Sequence, residues 1–306
     1  MRRPLRLGVV LAVLGLAGAL VGCGGGTGAS VVSEPISFEQ LSQAAAASAE
    51  ATSGRFEFSF EMTLPGTEKP FALSGDGAFD ASTNRSAISI DFSLFAELFA
   101  STLSGLGGNM PADAPDFGDA EAWKIDVRQD GAVVYVHFPL LSSELPAGKS
   151  WVRMDVRNAL EGPELDLSEL HELAGNPRDM LDFLRAASGE IETVGAETLR
   201  GVGTTRYRAT LNLADYENLV PADRREELRS ILGEMIDQSG LGEIPVDVWL
   251  DDFGLVRKFD MSFTATQPGT TNIAEASTTF ELYDYGKQVD VAPPPADEVV
   301  DASSLG

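Results

Sequence analysis

Residues 55–64 read Arg-Phe-Glu-Phe-Ser-Phe-Glu-Met-Thr-Leu. Phe56, Phe58, Phe60, Met62 and Leu64 fall on one side, and Glu57, Ser59, Glu61 and Thr63 on the other. Period-two alternation marks a β-strand with one face buried and one face wet. The next stretches repeat the pattern. Phe71–Asp80 reads as a second strand, with Gly75 and Gly77 suggesting a bulge or sharp bend. Arg85–Phe92 is a third, after a turn at residues 81–84, and places Ile88, Ile90 and Phe92 on one side.

Strands also run further along the chain. Trp123–Arg128 turns at Asp130-Gly131, a strong hairpin signal, into Val133–Pro139, and Lys149–Val156 follows. Ile191–Arg200, Thr204–Leu213, Ile244–Asp251, Leu255–Gln267 and Thr278–Tyr285 complete about eleven strands. Phe259, Met261 and Phe263 extend the apolar side. Helical segments fall between the strand runs. Ser37-Phe38-Glu39-Gln40 fits a capping box that opens an alanine-rich helix to about Thr52. Phe95, Leu98, Phe99, Thr102, Leu103 and Leu106 have helical spacing, and a Gly/Pro/Asp-rich loop follows them. Residues 166–187 form a helical region interrupted near Pro177. Residues 221–238 place Leu228, Ile231, Leu232, Met235 and Ile236 on one stripe.

Strand runs separated by helices are not alternating βαβ units, so a parallel sheet is not expected. The expected fold is α+β: a single large curved antiparallel sheet, a half-barrel, with helices packed on its concave face. It spans residues 37–292. Pro293-Pro294-Pro295 is expected to end it, with residues 293–306 a disordered acidic tail.

The N-terminus reads as a lipoprotein signal peptide over residues 1–22. Arg2, Arg3 and Arg6 precede an apolar run from Leu7 to Val21, about 15 residues and shorter than the roughly 20 needed to span a bilayer. The run ends in Leu20-Val21-Gly22-Cys23, a lipobox pattern. Cys23 is the single cysteine of the 306 residues, so it is the expected site of lipidation and no intramolecular disulfide can form. Residues 23–36, with Gly24–Ser30 at their start, read as a flexible tether. A diacyl or triacyl anchor supplies the two or more chains that stable attachment requires. The expected location is the cell membrane, on the extracytoplasmic face.

Charge and motifs narrow the function. The net charge is −25, and losing residues 1–22, with three arginines and no acid, brings it to −28. Nucleic-acid binding needs Lys and Arg against phosphate, so that class is disfavoured. The two histidines, His137 and His171, lie outside any HExxH or ligand cluster, and no G-x-S-x-G elbow occurs. Asp252-Phe253-Gly254 is explained as a β-turn. No enzyme, metal or cofactor is expected. The apolar sides of the strands admit two interiors, a packed core or a cavity for acyl chains, and the pattern alone does not choose between them.

The lipobox at Cys23, the strand Arg55–Leu64 after an alanine-rich helix and two hairpins together resemble the LppX/LprAFG-like lipoproteins, relatives in fold of the carriers LolA and LolB. The hairpins are Arg200-Gly201-Val202 with Thr205-Arg206-Tyr207, and Val246-Asp247-Val248-Trp249-Leu250-Asp251 running into Leu255–Phe259. The resemblance covers roughly residues 37–291, and the insert around 92–122 is longer than the family pattern. It implies a half-barrel that binds lipids or acylated glycolipids and helps transfer them to the cell envelope, with an envelope export partner. Phe56, Phe58, Phe60, Met62, Ile88, Ile90, Phe92, Phe95, Leu98, Phe99, Leu228, Ile231, Leu232, Met235, Phe259, Met261 and Phe263 are the cavity candidates. The same fold could instead serve an envelope sensor that binds a protein partner.

Overall fold

The computed structural model describes residues 36–63, 70–93, 119–155, 181, 184, 187–212, 243–266 and 273–305. Cys23, the signal peptide, the tether up to residue 35 and the expected helices at 94–108, most of 166–187 and 221–238 lie outside them. So do Phe95, Leu98, Phe99, Leu228, Ile231, Leu232 and Met235. Among the described residues no helix is long and apolar enough to cross a membrane.

Helix α1 spans Phe38–Ala49 and opens with the expected capping box. The Ser37 hydroxyl accepts from the Gln40 amide, and the Gln40 side chain accepts from the Ser37 amide. Twelve strands form one open sheet: β1 (Ser53–Thr63), β2 (Phe71–Asp80), β3 (Arg85–Asp91), β4 (Lys124–Asp130), β5 (Val133–His137), β6 (Trp151–Asp155), β7 (Ala187–Leu199), β8 (Val202–Asn212), β9 (Glu243–Asp251), β10 (Val256–Thr266), β11 (Ile273–Tyr283) and β12 (Val299–Asp301). Their order is β12-β6-β5-β4-β3-β2-β1-β11-β10-β9-β8-β7. Two antiparallel meanders, β1–β6 and β7–β11, are therefore joined by the pairing of β1 with β11.

Three expectations are corrected. The sheet has twelve strands rather than about eleven. It is mixed rather than antiparallel, because β12 pairs with β6 in parallel. The C-terminal tail is not disordered throughout, since residues 296–304 carry regular structure. Pro-rich, acidic composition suggested a loose end, but the acids and carbonyls there find donors. Arg153 pairs with Asp301 at 2.6 Å, the Ser150 amide donates to the Glu298 carbonyl at 2.9 Å, and Lys149 Nζ donates to the Asp297 carbonyl. On the way, Val289 and Val291 pack on Ala78 and Ala87, so the segment after β11 runs as a strap over β2 and β3.

The two ends of the strands differ. Short turns at 81–84, 131–132, 200–201 and 252–255 close one end, with Asn84, Gly131, Arg200, Gly201 and Gly254 at positive φ. The opposite end carries the connections 64–70, 92–123, 138–150, 213–242 and 267–272. These are the turn end and the loop end of the sheet. Residues 156–186 join the turn end of β6 to the loop end of β7.

Candidate functional site

Register decides which side chains share a face, because directly opposed residues of an antiparallel pair point the same way. Val248, Phe259, Phe280, Phe58, Gly75, Ile90 and Ile125 form one row across β9, β10, β11, β1, β2, β3 and β4. The next row toward the turn end carries Leu282, Phe56, Gly77, Ile88, Val127 and Val136. The expected residues Phe56, Phe58, Phe60, Met62, Ile88, Ile90, Phe259, Met261 and Phe263 are thus brought onto one apolar face. Phe92 follows β3 and packs against the same core.

The aromatic residues are stacked rather than scattered. Phe280 lies 5.4 Å from both Phe259 and Phe56, with ring planes inclined by 12° and 11°. Phe58 sits 6.4 Å from Phe56 and from Phe280. The rings of Phe56 and Phe58 lie over the two glycines of β2. A Cβ at Gly75 would stand 2.5 Å from the Ser89 carbonyl oxygen and 2.6 Å from the Phe58 ring. One at Gly77 would strike the Phe56 ring and the Ala87 carbonyl. These glycines are seats for neighbouring rings, and a bulge is not what they provide: β2 keeps unbroken register with β1 and β3.

On β1 and β10 burial falls off toward the loop end, whereas on β8 and β9 Leu211, Ile244 and Val246 stay buried there. At the turn end the apolar face is sealed: Phe56, Phe259, Val248 and Val256 are at most 1% exposed. Toward the loop end, Phe58, Phe60, Met62, Met261 and Phe263 are only half-buried. Helix α1 covers part of the sealed region, with Leu41 and Ala45 wholly buried in the same core. Ser48 fixes it there. Its hydroxyl donates to the Ala44 carbonyl at 2.7 Å and accepts from the Val256 amide at 2.8 Å. Tyr285 donates to the Val256 carbonyl at 2.7 Å, and burial pushes its phenol well above the usual range. Asp251, almost wholly buried, accepts from the Phe253 and Leu255 amides and pairs with Arg257 at 2.6 Å, which locks the adjacent turn.

The opposite face is polar and also divides into two. Near the turn end, Arg200 bonds Glu57 and Glu281 and stacks 4.0 Å over Tyr283. Trp249 lies between Arg206 and Lys258, and its indole N–H donates to Glu197 at 2.8 Å. Burial raises the Asp247 carboxyl, but hydrogen bonds from Arg208 and Arg206 prevail and hold it below the usual carboxylate range. Near the loop end lies a shallow depression of about 600 Å³ whose lining includes Glu61, Thr63, Glu243, Ser262, Thr264 and Glu275. Pro245, Phe263, Ala276 and Ser277 also line it, so the depression is mostly but not wholly polar. Among the described residues no group of His, Cys, Asp or Glu is arranged to hold a metal ion.

Sequence reading missed several members of the apolar face. Phe280 and Leu282 alternate within Thr278–Tyr285, and Val246 and Val248 within Ile244–Asp251, so the same period-two signal pointed to them. Leu181 and Leu184, from a segment read only as helical, are also buried in this core.

No family model matches the chain. An uncharacterized 31.2 kDa protein of Streptomyces griseus, from the rplA–rplJ intergenic region, is 27% identical over 160 residues. That match covers 52% of this chain and 50% of the relative, so the chain spans about half the length of the curated relative it matches. In fold, the chain is similar to LprF from Mycobacterium bovis. The identity is 13%, the match covers 86% of this chain and 99% of LprF, and the TM-score is 0.43. The lipoprotein LppX of Mycobacterium tuberculosis matches over 83% of this chain and 97% of its own, with 11% identity and a TM-score of 0.39.

Proposed function

We propose that this chain is a lipoprotein, anchored outside the cell membrane through Cys23, that binds lipids or acylated glycolipids and helps transfer them to the cell envelope. Its action is carriage, not catalysis. One observation supports the reading above others: the half-buried band of Phe58, Phe60, Met62, Met261 and Phe263 continues in register from a sealed core. A face made only for packing gains by burying such side chains completely, since each contributes roughly 1.5–3 kcal/mol when fully removed from water. Leaving five of them partly uncovered keeps apolar surface available for an acyl chain, at about 0.8 kcal/mol per methylene covered.

Native mass spectrometry of the chain from residue 23 onward, carrying Cys23→Ala, tests the reading. It predicts co-purified lipid of discrete mass, released on denaturation. A lipid-free protein that instead retains a polypeptide from the envelope fraction would favour a sensor or interaction role.

A further inference from the structure

We infer that strand β11 is the floor of a lane for a single acyl chain carried on an uncharged head group, and that Phe280 sets the lane's length. This rests on the lipid-binding reading and adds the ligand's placement and class.

The apolar-face positions of β11 run Phe280, Thr278, Ala276 toward the loop end. Thr278 lies between Met261 of β10 and Phe60 of β1, and Ala276 between Phe263 of β10 and Met62 of β1. Small side chains on the central strand are thus flanked on both sides by large, half-buried ones. The wall strands are two strand spacings apart, roughly 10 Å between axes, the width that one alkyl chain needs above the small residues. From Ala276 to Phe280 the lane runs about 14 Å along the strand. It ends blindly at the Phe280 ring, which is held between Phe259 and Phe56. Neighbouring β2 also carries small residues, but there the Phe58 and Phe56 rings lie over Gly75 and Gly77 and fill the space. At the loop end the opposite face of the sheet carries Glu61, Glu243 and Glu275, without a Lys, Arg or His partner among the described residues. An anionic head group leaving the lane at that end would lie within about a Debye length of these carboxylates and be repelled across the sheet edge, so a neutral one is favoured.

The chain's single cysteine allows a direct test in the full chain carrying Cys23→Ala. Thr278→Cys places a lone thiol on the lane floor, and Ser277→Cys places one on the opposite face as control. With monododecanoylglycerol at about ten times its Kd, labelling of position 278 by a maleimide is expected to slow roughly tenfold, with position 277 unchanged. Across monoacylglycerols of increasing length, affinity is expected to rise about fourfold per methylene until the lane is full and then level off. Phe280→Leu is expected to move that plateau to longer chains. Dodecanoate is expected to bind more weakly than monododecanoylglycerol.

Failure to bind any monoacylglycerol would overturn the lane, and a protein that also carries no co-purified lipid would overturn the lipid-binding reading with it. Binding that leaves position 278 unprotected would overturn the lane alone. A thiol at 278 that resists labelling in the lipid-free protein would mean that the chain's own residues occupy the lane. Tighter binding of dodecanoate would overturn the neutral head group, and an unmoved plateau in Phe280→Leu would overturn the role of Phe280.

Discussion

The turn end and the loop end of one sheet are built from the same strands yet are finished differently. At the turn end, Phe56, Phe259 and Val256 are sealed, Ser48 and Tyr285 bond the Val256 backbone, and the polar face is knitted by Arg200, Arg206 and Arg208. At the loop end the same strands present half-buried Phe60, Met62, Met261 and Phe263 on one face and Glu61, Glu243 and Glu275 on the other. The difference teaches that residue type does not separate core from the proposed binding surface here. Phe56 and Phe60 occupy the same face of the same strand, and only their distance from the clamp around α1 sets them apart.

Substitutions can break or sharpen this contrast. The largest effect is expected from Phe56→Ala, which empties a sealed site and should cost about 3–5 kcal/mol in chemical denaturation, whereas Phe60→Ala should cost much less and reduce lipid occupancy instead. Gly77→Ala is next. The added methyl group meets the Phe56 ring and a carbonyl oxygen at 2.5 Å, so an overpacking loss of about 1–3 kcal/mol is expected in the same assay. Ser48→Ala leaves the buried Val256 amide without its acceptor and should cost about 1–3 kcal/mol, with faster hydrogen exchange at residue 256.

The smallest effect concerns the C-terminal strap. Hydrogen bonds from Ser303 and the nearby Arg153 guanidinium hold the Asp301 carboxyl below its ordinary value. A depressed folded pKa stabilises the strap above the unfolded carboxylate value of about 3.9, and this is lost as pH falls through the folded value. Exchange at residues 299–301 should therefore quicken below about pH 4 while β8–β10 amides stay protected. Asp301→Asn should remove most of that acid sensitivity.

Much of this architecture was legible in the sequence because strand alternation is a local signal. Arg55–Leu64 announces its faces without any knowledge of its neighbours, and the same is true of Thr204–Leu213. Strand β12 was not legible. Val299–Asp301 is three residues long, too short for a period, and it depends on Arg153 and Ser150 nearly 150 positions away. The purpose of Gly75 and Gly77 was misread for a similar reason: their constraint is a ring on the next strand, which composition cannot show. The candidate site was half legible. Alternation found Phe58, Phe60, Met261 and Phe263, but the low floor at Ala276 and Thr278 emerges only when β11 is set between β10 and β1.

Hydrogen–deuterium exchange with and without monododecanoylglycerol tests the division of the sheet most directly. The account predicts slowed exchange in residues 59–63, 261–264 and 275–279, with residues 205–209 and 246–250 unchanged. Uniform slowing across both sets, or protection confined to the turn end, would contradict it.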